Sequence, residues 1–188
     1  MERFRIVLFA LVLVSAFGCA HTVGWDPIQY EKPLAREPEG KVSLYMAEGL
    51  KSAEHSFRAF GSGIANKWVV PYGERVHQFA ESYLSETFRD YSEVKSPQVS
   101  RGTLVNITAV KYTVSGQAAR VTVSVEARDA AGKPLLSRSY SAEGPSGAGT
   151  ILTGGAFAQQ GMIRRSTNRA LHEIFQQLTA DLRNAMPR

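Results

Sequence analysis

The chain has 188 residues, 44% hydrophobic and 21% charged, with 22 Lys and Arg against 17 Asp and Glu, a formal net charge of +5 and one cysteine. That length falls within the range of a single domain. The modest positive balance, without a long single-sign run, argues against nucleic acid as a partner, and one cysteine leaves no intrachain disulfide.

Taken in chain order, the N-terminus comes first. Arg3 and Arg5 precede an apolar run, Ile6 to Phe17, interrupted only by Ser15. A basic segment, a short apolar run and small residues near a cleavage point form the pattern of a secretory signal. The run is too short to span about 30 Å of hydrocarbon as a helix. It also lacks the solvated face of an amphipathic core helix. It ends in Ala16-Phe17-Gly18-Cys19, which spends the only thiol directly after a glycine.

Ala16-Phe17-Gly18-Cys19 resembles the lipobox of bacterial lipoproteins. Gly18 matches the position before the cysteine and Cys19 the modified residue, whereas Ala16 replaces the usual leucine and Phe17 is bulkier than usual. The resemblance implies a signal peptide over 1–18 and covalent diacylglycerol and N-acyl (palmitate-type) lipid on Cys19, with no other cofactor. Ala20 stands where an aspartate would favour the inner membrane, so the implied address is the outer membrane facing the periplasm. Several acyl chains hold where one holds only marginally, because each buried CH₂ contributes about 0.8 kcal/mol. Loss of 1–18 would leave a net charge of +4.

Residues 19–40 carry Pro27, Pro33 and Pro38 among charges. They read as an extended tether, with Trp25 and Tyr30 as candidates to pack back onto a domain over 41–188. Val42, Leu44 and Met46 alternate with Ser43 and Tyr45 as in a half-buried strand. Residues 50–63 are ambiguous between a short helix and a loop, and Trp68–Pro71 is a brief extended piece. From Tyr72 to about Phe88, Val76, Phe79, Ala80, Tyr83, Leu84 and Phe88 form an apolar helical stripe, with Arg75, Gln78, Ser82, Glu86 and Arg89 assigned to the opposite face.

Between Leu104 and Tyr140 the period changes to two. Leu104–Val114 suits a strand covered on both faces. Arg120–Ala127 alternates cleanly, with Val121, Val123, Val125 and Ala127 inward, and Leu135–Tyr140 supplies a third strand. Short turns make these three an antiparallel meander. Residues 144–161 are glycine-rich and read as a long loop, a candidate for contact with an envelope protein or membrane through Ile151, Leu152 and Phe157, or equally a connector. A last helix is expected over 163–182, with Ile163, Thr167, Ala170, Leu171, Ile174, Leu178 and Leu182 on one side. Arg164, Arg165 and Arg169 then fall in its first turns, against the helix dipole, which makes them candidates for an anionic contact or else a solvated patch.

The expected fold is α+β, an antiparallel sheet of about four strands with two helices on one face in the order β-α-β-β-β-α. Over residues 41–186 this order resembles small outer-membrane accessory lipoproteins of the YajG-like, LptE-like and PqiC-like kinds, and that resemblance implies a non-enzymatic companion of an envelope machine. His21, His55, His77 and His172 have no metal-like spacing. The serine-elbow pattern near Ser146 fails at Ala148, and no phosphate-loop lysine is present. The expectation is therefore no enzyme, no metal and an interaction or assembly module in envelope biogenesis. The alternative is a carrier of lipid or another apolar ligand, in which Phe79, Tyr83 and Phe88 line a pocket.

Overall fold

The computed structural model describes residues 20–29, 37–58, 67–116, 118–147 and 151–186, apart from the side chains of 37–39 and 151–157. The leader 1–18, Cys19 and Tyr30 lie outside the described residues. In chain order the elements are β1 (Ala20–Thr22), β2 (Glu37–Met46), α1 (Glu48–Lys51), β3 (His55–Arg58), β4 (Lys67–Val70), α2 (Tyr72–Thr87), β5 (Phe88–Glu93), β6 (Thr103–Ser115), β7 (Ala118–Asp129), β8 (Pro134–Glu143) and α3 (Ile151–Ala185). No helix among the described residues is long and apolar enough to cross a membrane.

Among the described residues, eight strands form two sheets, a five-stranded one ordered β5-β2-β6-β7-β8 and a three-stranded one ordered β1-β4-β3. This overturns the expected single antiparallel sheet of about four strands in β-α-β-β-β-α order. β2 pairs in parallel with both β5 and β6, because the connection through α2 returns β5 beside β2 in the same direction, as crossover connections do. β5 reads Phe-Arg-Asp-Tyr-Ser-Glu and is mostly exposed or half-buried, so it carries no apolar alternation. β1, β3 and β4 have three or four residues each, too few for a periodic signal. Pro38 and Gly40 fall where the β2–β5 register is irregular, with Gly40 at φ 126°.

α2 and α3 cover one face of the large sheet. Val121, Val123, Val125 and Ala127 of β7 are all at 0–1% exposure, as are Ile163, Ala170, Leu171, Ile174, Leu178 and Leu182 of α3. α3 lies against β7, β8 and α2. The two sheets meet where the His55 ring of β3 lies 5.5 Å from Tyr112 of β6, and Tyr72, at the start of α2, stacks on Tyr112 at 5.1 Å. Tyr112 also bonds Thr167 Oγ1 at 2.8 Å, and burial pushes its hydroxyl up to about 12.

Residues 20–29, in the stretch read as an extended tether with Trp25 as a candidate to pack back, run along the domain. β1 pairs in parallel with β4. Val23 is fully buried and its N–H donates to Val69 O at 2.9 Å. Trp25 Nε1 donates to Pro71 O at 3.2 Å.

α1, α2 and β5 are joined by one carboxylate. Glu93 Oε1 lies 2.5 Å from Lys51 Nζ and 3.0 Å from His77 Nε2. The hydrogen bond from Lys51 is the main reason that the Glu93 carboxyl sits below its ordinary value of 4.5. A depressed carboxylate contributes stability that is complete above 4.5 and is lost as pH falls through the folded value. Glu93→Gln should therefore flatten the acid side of a melting-temperature profile, at a small cost near neutrality because the pair is partly exposed. An unchanged acid slope would remove Glu93 from that response.

Candidate functional site

α3 begins at Ile151, so residues 151–161 of the glycine-rich segment expected as a loop over 144–161 belong to a helix. Gly154, Gly155 and Gly161 are accommodated inside the helix, which glycine tolerates at about 1 kcal/mol each relative to alanine. Ile151, Leu152 and Phe157 consequently lie on a helix backbone, and their side chains are outside what is described. The same change removes the dipole conflict. Arg164, Arg165 and Arg169 lie well inside the helix, beyond the first turn where the dipole acts.

What the structure does with these arginines is to gather them along a cleft. The segment 25–29 runs over α2 and α3 as a strap, with an open cleft on each side. On the α3 side, a cleft of about 580 Å³ is lined by Asp26, Pro27, Arg164, Arg165, Asn168, Arg169 and His172, among others. On the α2 side, a second cleft of about 530 Å³ is lined by Trp25, Asp26, Ile28, Arg75, Gln78 and Glu81, among others. Asp26 and Pro27 border both.

The strap is fixed by polar contacts. Arg164 Nη1 meets Asp26 Oδ1 at 2.9 Å and Trp25 Nε1 donates to Pro71 O, while just before the strap Gln160 Nε2 donates to Thr22 O at 3.4 Å. Tyr83, at 0% exposure, bonds His172 Nδ1 at 2.8 Å, which orients the imidazole at the edge of the α3-side cleft.

Arg75 is the residue that periodicity misplaced. The apolar stripe places it on the solvated face of α2, yet it is only 1% exposed. Its Nε donates to Asn168 Oδ1 at 2.9 Å and its Nη1 to Gln78 Oε1 at 2.8 Å. The ring centroids of Trp25 and Phe79 lie 5.3 and 4.9 Å from its guanidinium carbon. Its Nη2 is buried without a hydrogen-bond partner among the described residues. Burial lowers its basicity to about 10, against a smaller opposing effect from Asp26 and Glu74. The signal available in the sequence was spacing: position 75 stands four residues before Phe79, on the border of the apolar stripe.

The residues nominated as an apolar ligand pocket are core. Phe79, Tyr83 and Phe88 are at 0, 0 and 1% exposure, and none of them lines either cleft.

No protein-family model and no curated protein matches the chain. Among solved structures, protein XCC0632 from Xanthomonas campestris, of the family DUF330, superposes with a TM-score of 0.51 at 11% identity, covering 86% of this chain and 92% of that one. An uncharacterized protein gives a TM-score of 0.43 at 11% identity over 85% and 97% of the two chains. A dodecameric PelC variant from Paraburkholderia phytofirmans gives 0.34 at 17% identity over 78% and 94%. At such identities the likeness to the Xanthomonas protein concerns architecture alone, and the other two superpositions carry no argument.

Proposed function

We propose that this chain is a non-enzymatic interaction module of the bacterial envelope, held on the outer membrane by acyl chains on Cys19, facing the periplasm and pairing with an envelope protein. The observation that supports it best is the outer edge of the large sheet. β8 is ten residues long and ends the strand order, with no strand among the described residues on its outer side. An unpaired edge is a template for a partner's strand, since its backbone donors and acceptors are already aligned. Pro134 stands only at the first residue of the strand, and Ser137, Ser139 and Ser141 are exposed farther along it.

The edge is also held rigid from behind. Asp181 of α3 accepts hydrogen bonds from Arg138 Nη1 and Tyr140 Oη, both at 2.8 Å. Ser124 and Ser139 hydroxyls meet at 2.8 Å across β7 and β8. Such an edge is organised before a partner arrives, which lowers the ordering cost of binding. An anchor at Cys19 would leave a single peptide, about 3.8 Å between Cα atoms, before the first β1 residue. The module would then sit against the bilayer without slack.

Two measurements test this. Labelled palmitate should enter the wild-type protein and not Cys19→Ser, and the serine variant should leave the outer-membrane fraction; label retained in the variant would refute the anchor. A photo-crosslinker placed at Ser137 or Ser139 should capture one and the same envelope protein, with no adduct from Lys95 beyond the opposite edge. Failure to capture a protein from either β8 position would overturn the edge as the contact.

A further inference from the structure

We infer that the seam beneath the 25–29 strap is a binding site for a phosphate oxyanion, with Arg75 as the buried cation that meets it and the α3 arginines 164, 165 and 169 along its outer rim. The argument begins with what Arg75 lacks. A guanidinium is always charged in practice and carries five N–H donors. At 1% exposure, its polar partners here are two neutral amide oxygens, Asn168 Oδ1 and Gln78 Oε1. Its Nη2 has no partner among the described residues. A buried charge is ordinarily paired with an opposite charge, because desolvation is otherwise uncompensated.

The two clefts flanking the strap supply the rest of the site. Arg75 lines one side of the strap, and Arg164, Arg165 and Arg169 line the other. Asn168 joins the sides, since it lines the α3-side cleft and accepts from Arg75. Among the described residues, the two linings hold these four arginines and the carboxylates of Asp26 and Glu81, and Glu74 acts on Arg75 from just outside them. Arginine's planar fork suits phosphate oxygens, and a phosphate presents more of them to Arg75 and the rim than a single carboxylate does.

Asp26 occupies part of this site as an internal counterion. Its carboxylate pairs with Arg164, and its side chain remains 61% exposed, so an incoming anion competes with an exchangeable group. Two sources share the chemistry, a phospholipid headgroup or a soluble phosphate. The headgroup source rests on the Cys19 anchor; the anion site does not.

The full-length protein in neutral detergent would be titrated by calorimetry with inorganic phosphate and, separately, with glycerophosphoglycerol, the deacylated headgroup of phosphatidylglycerol, each against chloride at equal ionic strength. Saturable binding of either is expected. Loss of a charge-assisted contact in Arg75→Met should weaken it by about tenfold or more. Asp26→Asn should tighten it severalfold by releasing Arg164, a gain that a merely structural role for Asp26 would not produce. Binding of the diester assigns the headgroup source, and binding of inorganic phosphate alone assigns the soluble one. No binding of either probe would overturn the site. Should Arg75→Met fail to fold, unchanged or weaker binding by Asp26→Asn would overturn it as well.

Discussion

Gly144→Ala should lower the thermal unfolding midpoint by roughly 6–12 °C, whereas Gly161→Ala should leave it unchanged or raise it. The two glycines stand at opposite ends of the segment that looked like one loop, and they do different work. Gly144 follows β8 directly, and its N–H donates to Ala119 O at 3.0 Å. A Cβ added there would collide with the carbonyl oxygen and carbon of Ser166. Ser166 is fully buried, and its Oγ accepts from Ala119 N at 2.8 Å. The end of β8, the start of β7 and the middle of α3 therefore close on one point, and the nearest atom in the collision is the backbone carbonyl oxygen of Ser166, with Ser166 Oγ also in the way. No side-chain rotation relieves it, so α3 must lift from the sheet. Overpacking of this kind costs about 1–3 kcal/mol and sometimes more, and backbone on both sides places it at the upper end. At Gly161 an added Cβ meets nothing within 4 Å, and alanine is favoured by about 1 kcal/mol inside a helix. Melting curves followed by circular dichroism decide the matter. A Gly144→Ala protein melting with the wild type would mean that the close approach is absent.

Legibility in the sequence followed burial on a single face. β7 was plain because α3 dries one side of it while Arg120, Thr122, Ser124 and Glu126 stand on the other. The buried stripe of α3 from Ile163 to Leu182 was plain for the same reason. The first twelve residues of α3 were not, because Gly154, Gly155 and Gly161 carry the local signal of a loop while the helix continues through them. β5 was hidden by the converse effect. As an edge strand beside β2 it is half-wet on both faces, so only its pairing defines it.

The candidate site was half visible. Arg164, Arg165 and Arg169 stood out as a cluster, although the reason first attached to them, a clash with the helix dipole, disappears once the helix starts at Ile151. Arg75, Asp26 and Asn168 were invisible as a group. The Arg75–Asn168 bond joins positions 93 apart and the Asp26–Arg164 pair positions 138 apart, and no local pattern encodes such a meeting. Arg75 was the more misleading because charge ordinarily marks the solvated face of a helix. Here two aromatic rings and two amides take the place of water.

Phe79→Ala should destabilise the protein by about 3–5 kcal/mol, the cost of emptying a packed aromatic site. This separates a core from a pocket. A ring lining a cavity for an apolar ligand would leave little behind when removed, and stability would change by a fraction of that. Phe79 is instead fully buried, with ring centroids of Tyr83 and Phe175 each at 6.2 Å and His172 edge-on at 4.9 Å. It also covers Arg75, whose guanidinium carbon lies 4.9 Å from its centroid. Such a contact adds about 0.5–2 kcal/mol when desolvated. The substitution should accordingly cost less in an Arg75→Met background than in the wild type, because the cation that the ring covers is gone. Chemical denaturation of the four proteins measures the difference. Equal costs in both backgrounds would mean that Phe79 serves the hydrophobic core alone and that Arg75 is not held in place by its ring.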